Sequence, residues 1–187
     1  MDKRRVVLES LPFLLLGTMG GALAGMILGG MRDVLELLPG LIAIVPAIIG
    51  MRGNISASMG NRLGSAYHLG FLDEGITSNI AVQNLKSSTL LSLYVSSILP
   101  LFLLITNGLL GFHIDARILL ALTLISVMTG LSSGVILSFL AFFIITLSIR
   151  YKIDPDNVTG PILSTVGDIF SLLLLFAYAS LIGGAML

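Results

Sequence analysis

Long apolar stretches dominate the chain, and short polar segments separate them. Five such stretches lie at about residues 10–31, 36–65, 86–106, 117–149 and 159–184. A helix of about 20 residues crosses the ~30 Å hydrocarbon core of a bilayer, and each stretch reaches that length. The pattern predicts an all-α, polytopic membrane protein with five transmembrane helices, in which residues 1–187 form a single transmembrane domain.

The basic residues between these stretches predict how the chain is oriented in the membrane. With the amino terminus in the cytoplasm, the inner side receives Lys3, Arg4, Arg5, Arg62, Lys86, Arg150 and Lys152. The outer side then receives only Arg32 and Arg117. Cytoplasmic loops carry the excess of Lys and Arg, so we expect a cytoplasmic amino terminus and an outside carboxyl terminus in the cell membrane.

Composition agrees with the helix pattern and excludes other classes of protein. The chain is 56% hydrophobic and 11% charged, against about 25% charged residues in a soluble domain. Its formal net charge is zero, so it lacks the basic character of a nucleic-acid-binding protein. It has no cysteine, which excludes disulfides and thiolate metal sites.

Asp168 lies inside the fifth apolar stretch, and it is the strongest candidate for function. A carboxylate at the centre of a membrane helix costs about 3 kcal/mol or more, and it normally faces a partner, a cavity or an ion path. Ser164 and Thr165 precede it by one turn and share part of its face. Oxygen ligands suit hard cations such as Mg²⁺ or Ca²⁺. The sequence therefore predicts a divalent-cation site at Asp168, Ser164 and Thr165.

The second apolar stretch contains residues that disturb helices. Pro46, Gly50 and Gly53 precede Asn54, and Arg52 stands among them. Proline removes a backbone donor, and irregular backbone at membrane depth survives only where it is buried or faces water. We therefore expect an interrupted helix whose freed carbonyls offer oxygen ligands. A proline kink with glycine packing is the alternative.

Arg52 and Asp168 are expected at similar depths. Arg52 lies in the cytoplasmic half of the second stretch, and Asp168 lies in the cytoplasmic half of the fifth. They are therefore candidates for an intramembrane ion pair. Alternatively, Arg52 extends toward cytoplasmic water and leaves Asp168 free for a cation.

The segment Asp154–Asn157 precedes the fifth helix and predicts a turn and a helix start, with Pro161 in the first helical turn. Asp154 and Asp156 would then lie at the cytoplasmic mouth of an ion path and concentrate cations there. In the first helix, glycines recur every fourth residue from Gly17 to Gly29, a pattern that indicates close helix packing.

Two segments together resemble a known family. They are PAIIGMRGNISASMGNRLGS at residues 46–65 and DPDNVTGPILSTVGD at residues 154–168. Both are similar to the membrane domain of MgtE-type magnesium transporters, and more closely to their animal solute-carrier branch. Relative to that family, the chain looks like a single half without cytoplasmic sensor domains, so the familiar gating mechanism is not carried over.

The resemblance implies a homodimer in which the second and fifth helices of both subunits line one pore on the two-fold axis. It implies that Asp168 binds hydrated Mg²⁺ and that Asn54 lines the pore. Other divalent cations are also possible as the transported ion. Pro46, Gly53 and Asn157 follow as further pore-lining or gating candidates. Arg52 is a further candidate of this kind, although it departs from the bacterial pattern, which has a small residue there.

Two other functions remain open from the residues. A non-transporting membrane subunit would use Arg52 and Asp168 as a structural pair. An intramembrane serine hydrolase would use Ser132, because residues 130–134 fit the G-x-S-x-G pattern. Such a serine needs a base within hydrogen-bond reach, and both His68 and His113 are assigned to loops or helix ends. We therefore expect a transporter and not an enzyme.

Overall fold

The computed structural model describes residues 3–71, 79–109 and 114–186. Its helices are α1 (Lys3–Gly30), α2 (Arg32–Leu37), α3 (Leu41–His68), α4 (Asn79–Leu109), α5 (Ala116–Arg150) and α6 (Pro155–Met186). In the described ranges, five of these helices are long and apolar enough to cross a membrane. The predicted all-α architecture with five spans is confirmed, although most helices are longer than the apolar pattern indicates.

The second predicted span is split near its start. Helix α2 ends at Leu37 and α3 begins at Leu41, so the span starts five residues later than expected. Gly40 between them has φ 96°, a conformation that residues with a side chain rarely adopt. A Cβ at Gly40 would also lie 2.8 Å from Cδ2 of Leu103. This glycine therefore turns the chain tightly against α4.

The expectation that the second helix is interrupted between Pro46 and Asn54 is wrong. Helix α3 runs without a break from Leu41 to His68, through Pro46, Gly50 and Gly53. Pro46 still removes one backbone donor, which leaves the carbonyl one turn earlier without its usual partner. A membrane nevertheless favours keeping every other backbone hydrogen bond inside the helix, and the glycines do not prevent that.

The last helix begins earlier than the sequence predicts. Helix α6 starts at Pro155 and not near residue 159, so Pro161 lies in its second turn instead of its first. Pro155 fits the first helical position, because the backbone donor that a proline lacks would have no partner there. Pro161 remains inside the helix near its start, before the turn that carries Asp168.

Helix α5 is also continuous, and its glycines serve a contact. A Cβ at Gly130 would lie 2.5 Å from Cβ of Ser96 on α4. A Cβ at Gly134 would lie 2.9 Å from the Ser92 hydroxyl. These two positions let α4 and α5 approach closely, as small residues do in membrane helix pairs.

The apolar core divides into two clusters at opposite ends of the bundle. One cluster joins the start of α3, at Leu41 and Ile48, to the end of α6, at Leu172 and Ala179. The other cluster joins Met59 and Leu63 to residues near the start of α6. The polar residues of α3 and α6 lie between these clusters, at the middle of the helices.

Helix α1 uses a different face from the one that its glycine pattern predicts. Gly17 and Gly20 lie against Thr165 of α6. Gly21, Gly25 and Gly29 border open space, with nothing within 4 Å of the position that a Cβ would take. Of the four glycines in the repeat, Gly17 therefore contacts α6. Gly20, which is not part of the repeat, makes the second contact.

Candidate functional site

Asp168 lines a cavity of about 330 Å³ between α1 and α6. The lining residues are Leu14, Gly17, Thr18, Pro161, Ser164, Thr165 and Asp168. The structure thus brings together Asp168, Ser164 and Thr165, as the sequence predicts. It adds three residues of α1, for which the glycine spacing is the only signal in the sequence.

The polar groups of this cavity are arranged to accept hydrogen bonds. The Thr165 hydroxyl donates to the Pro161 carbonyl over 2.9 Å. The Thr18 hydroxyl donates to the Leu14 carbonyl over 3.0 Å. Because each hydroxyl proton is engaged by backbone, the remaining lone pairs are available as acceptors. Together with the Asp168 carboxylate, they form an oxygen-rich surface that suits the water shell of a cation.

Asp168 takes part in no ion pair among the residues that the structure describes. The side chain is half-buried and lies near the middle of α6. A carboxylate without a basic partner at that depth is expensive. The arrangement therefore leaves room for a positive charge in the cavity.

The register of α3 against α6 places Asn54 at the depth of Asp168. His68 Nε2 lies 3.8 Å from Asp154 Oδ1, which joins the end of α3 to the start of α6. Asn54 lies fourteen residues before His68, and Asp168 lies fourteen residues after Asp154. At 1.5 Å per residue, both lie about 21 Å from this end. The two antiparallel helices therefore present an amide and a carboxylate at one level.

Asn54 belongs to an exposed polar stripe along α3. Ser58, Asn61 and Ser65 follow it at helical spacing, and all four side chains are exposed in the single chain. Pro46 and Gly50 continue the same line toward the other end of the helix, also exposed, and Gly53 beside the stripe is half-exposed. Polar groups on a membrane helix normally face protein or water and not lipid. This stripe is therefore a surface that something other than lipid must cover.

Arg52 lies on another side of α3 and is 1% exposed. Its Nη2 donates to the Ser92 hydroxyl of α4 over 2.6 Å, and its Nη1 lies 3.5 Å from the Ser133 hydroxyl of α5. Asn54 follows Arg52 by two residues, so the two side chains point about 200° apart around the axis of α3. Arg52 therefore does not reach the exposed face of α3.

Both sequence-based interpretations of Arg52 are wrong. It forms no ion pair with Asp168, and its guanidinium does not extend to cytoplasmic water. The physical reason is the pair of hydroxyls supplied by α4 and α5, which offer acceptors inside the bundle. The sequence contains a signal for this environment, because Ser88, Ser92 and Ser96 recur at every fourth position of α4.

The remaining predicted residues lie elsewhere. Asp154 lies beside His68 at the end of the bundle. The side chains of Asp156 and Asn157 are outside the described residues, as is His113. The Ser132 hydroxyl lies 2.8 Å from the Tyr178 hydroxyl, so Ser132 is held by a phenol and not by a base. This contact joins α5 to α6 and offers no activation of a nucleophile.

Comparison with known families gives a match over most of the chain. The family model described as "MgtE: Divalent cation transporter" matches residues 45–178. That range contains most of α3, all of α4 and α5, and the part of α6 that carries Asp168. It begins after α1, which supplies the opposite wall of the cavity.

Individual relatives extend the likeness to nearly the whole chain. A protein of Xenopus laevis named "Solute carrier family 41 member 2" is 30% identical over 169 residues, which cover 88% of this chain and 30% of the relative. "Solute carrier family 41 member 3" of Mus musculus is 25% identical over 91% of this chain and 35% of the relative. "Magnesium transporter MgtE" of Bacillus subtilis (strain 168) is 27% identical over 91% of this chain and 36% of the relative. The chain thus spans about a third of the length of these relatives.

Proposed function

Because the chain belongs to the MgtE family of divalent cation transporters, we propose that it carries Mg²⁺ across the membrane through a pore between two copies. Family membership and the five spanning helices make it a multi-pass membrane protein of a transporter family, not an enzyme. The choice of Mg²⁺ rests on the Bacillus subtilis relative, which is named a magnesium transporter. The observation that carries the pore proposal is Asp168, which lines a polar cavity at membrane depth without an ion-pair partner among the described residues.

The open polar surfaces support a pore formed by two copies. The Asp168 cavity and the Asn54 stripe both lie on the surface of the single chain, at the depth where lipid chains would otherwise contact them. Neither surface is compatible with lipid. A second copy related by a two-fold axis would cover both surfaces and would double each group, as closed symmetric dimers do.

A pair of Asp168 carboxylates matches the chemistry of Mg²⁺. This cation dehydrates reluctantly and is usually held by one or two carboxylates through retained waters. The cavity of about 330 Å³ has room for a six-water shell, since each water occupies about 30 Å³. In this proposal Asp168 supplies the charge, while Ser164, Thr165 and Asn54 accept or donate hydrogen bonds to bound water.

The groups near the cytoplasmic end have a secondary role in this proposal. Asp154 lies at the start of α6, level with the end of α3. A carboxylate at the mouth of a pore raises the local cation concentration. The competing proposal of a non-transporting subunit loses its main support, because the Arg52–Asp168 pair on which it depends is not formed.

The proposal is tested by Mg²⁺ entry into liposomes that contain the purified protein and an internal Mg²⁺-sensitive dye. We expect flux with the wild type and its loss with Asp168→Asn, which keeps the shape and removes the charge. Glu36→Gln is the matched control, because Glu36 is an exposed acid paired with Arg32 on α2. Equal flux in the wild type and Asp168→Asn would overturn the role of Asp168.

A further inference from the structure

The wall opposite Asp168 comes from α1. Leu14, Gly17 and Thr18 line the same cavity as Pro161, Ser164, Thr165 and Asp168. Within the described residues, α1 contacts α6 closely at Gly17 and Gly20. The polar edge that α1 contributes to the cavity is the hydroxyl of Thr18.

The register of α1 against α6 brings Thr18 within one helical turn of Asp168. A Cβ at Gly17 would lie 3.0 Å from Oγ1 of Thr165, and a Cβ at Gly20 would meet Thr165 and then Ile169. Thr165 thus lies between Gly17 and Gly20, the two helices run in the same direction, and Thr18 is level with about residue 165. Asp168 is three residues further along α6, which corresponds to about 4.5 Å, so the two side chains line the same cavity less than one helical turn apart.

We propose that α1 forms the second wall of the cation site, facing α6, where Thr18 accepts a hydrogen bond from cation-bound water and Gly17 sets the width of the cavity. This inference rests on the proposed function, because it assumes that the cavity takes a hydrated cation. It assigns a direct part in transport to a helix that lies outside the matched family range.

The hydrogen bonding of Thr18 determines which ligand it suits. Its proton is donated to the Leu14 carbonyl, so its lone pairs are the part that a ligand meets. Water bound to a divalent cation presents protons outward, and a hydroxyl oxygen accepts them. A bare cation would bind more closely to carboxylates, whereas this wall matches the outer surface of a hydration shell.

Gly17 determines how much space the hydration shell has. Oγ1 of Thr165 lies 3.0 Å from the position of a Cβ at Gly17, so an added methyl group would fill part of the cavity beside Asp168. Gly21 is one turn further along α1 and has nothing within 4 Å. The chain therefore contains a matched pair of glycines on one helix, of which one borders the cavity.

The role of the Thr18 hydroxyl is tested by comparing Thr18→Val with Thr18→Ser in the liposome assay. Valine keeps the shape without the hydroxyl, and serine keeps the hydroxyl. We expect Thr18→Val to raise the Mg²⁺ concentration for half-maximal flux by about two- to tenfold, the range for loss of one hydrogen bond. Thr18→Ser should stay within about twofold of the wild type. Equal half-maximal concentrations in all three proteins would overturn the role of Thr18.

The role of Gly17 is tested by Gly17→Ala against Gly21→Ala, with the thermal unfolding of each purified protein measured in parallel. We expect Gly17→Ala to reduce maximal Mg²⁺ flux by about fivefold or more, because an added methyl group in a closely packed site forces its neighbours to shift, while Gly21→Ala leaves the flux unchanged. Equal flux in both variants would contradict the proposed wall. If Thr18→Val fails to fold, the comparison of Gly17→Ala with Gly21→Ala still tests whether α1 borders the cation site.

Asp168→Asn separates failure of this inference from failure of the proposed function. Persistent flux in Asp168→Asn would refute the cation site itself. Loss of flux in Asp168→Asn, with normal flux in Thr18→Val and Gly17→Ala, would keep the site and remove α1 from it.

Discussion

Arg52 of α3 donates a hydrogen bond to the Ser92 hydroxyl of α4 across 2.6 Å at the middle of the bundle. Arg52 is 1% exposed, and its other hydroxyl contact is Ser133, at 3.5 Å. A buried cation is thus held by neutral hydroxyls that each donate their own proton to a backbone carbonyl. This contact joins the helix that carries Asn54 to the two helices behind it, and it fixes the rotation of α3.

Removal of the Ser92 hydroxyl is expected to destabilise the protein. Ser92→Ala takes away the shortest acceptor of a buried guanidinium, and an unsatisfied buried donor costs about 1–3 kcal/mol. Thermal unfolding of the purified protein in detergent measures this cost. Ser97→Ala is the control, because the Ser97 hydroxyl bonds to the Leu93 carbonyl of its own helix. An unfolding temperature equal to that of the control would contradict the importance of this contact.

Removal of the charge itself is expected to cost less than removal of its partners. Arg52→Met leaves Ser92 and Ser133 with their backbone hydrogen bonds, and replacing a buried charge by an apolar side chain is often nearly neutral. The double variant Ser92→Ala, Ser133→Ala leaves the charge buried without those acceptors, and a hydrogen bond to a charged group contributes about 1.5–3 kcal/mol. Unfolding temperatures in the opposite order would show that the guanidinium finds other partners.

The close approach of α4 and α5 predicts a difference between two glycines. Gly130→Ala places a methyl group about where Ser96 already lies, and overpacking of this kind costs about 1–3 kcal/mol. Gly25→Ala on α1 meets nothing within 4 Å, and alanine favours the helix. We therefore expect Gly130→Ala to lower the unfolding temperature and Gly25→Ala not to lower it. An equal decrease in both variants would argue against the α4–α5 contact.

The polar stripe of α3 is expected to face water. Because the chain has no cysteine, single cysteines at Asn54, Ser58 and Asn61 report their own surroundings. A charged, membrane-impermeant thiol reagent should modify them, since it reacts with the thiolate in contact with water. Cysteines at Leu101 and Phe102, exposed apolar positions of α4, should remain unmodified within the same time. Modification of the α4 positions alone would reverse the proposed assignment of faces.

Much of the fold follows from the sequence, because apolar stretches of sufficient length determine the number of membrane helices. Helix ends are less predictable, because a helix can continue into polar residues beyond its apolar stretch, as α4 does at residues 79–85. Helical spacing alone groups Asp168, Ser164 and Thr165 correctly. It does not reveal the Arg52 contact, because the accepting hydroxyls lie on other helices and a single-helix pattern does not show which helices are neighbours. Thr18 escapes prediction for the same reason.

Isothermal titration of the purified protein with Mg²⁺ measures how many cations bind for each chain, and it tests directly whether two copies share one site. Two Asp168 carboxylates that share one hydrated cation predict one Mg²⁺ for every two chains in the wild type. They also predict loss of that binding in Asp168→Asn, with the dimer intact by light scattering. Unchanged Mg²⁺ binding in a folded Asp168→Asn dimer would contradict the account.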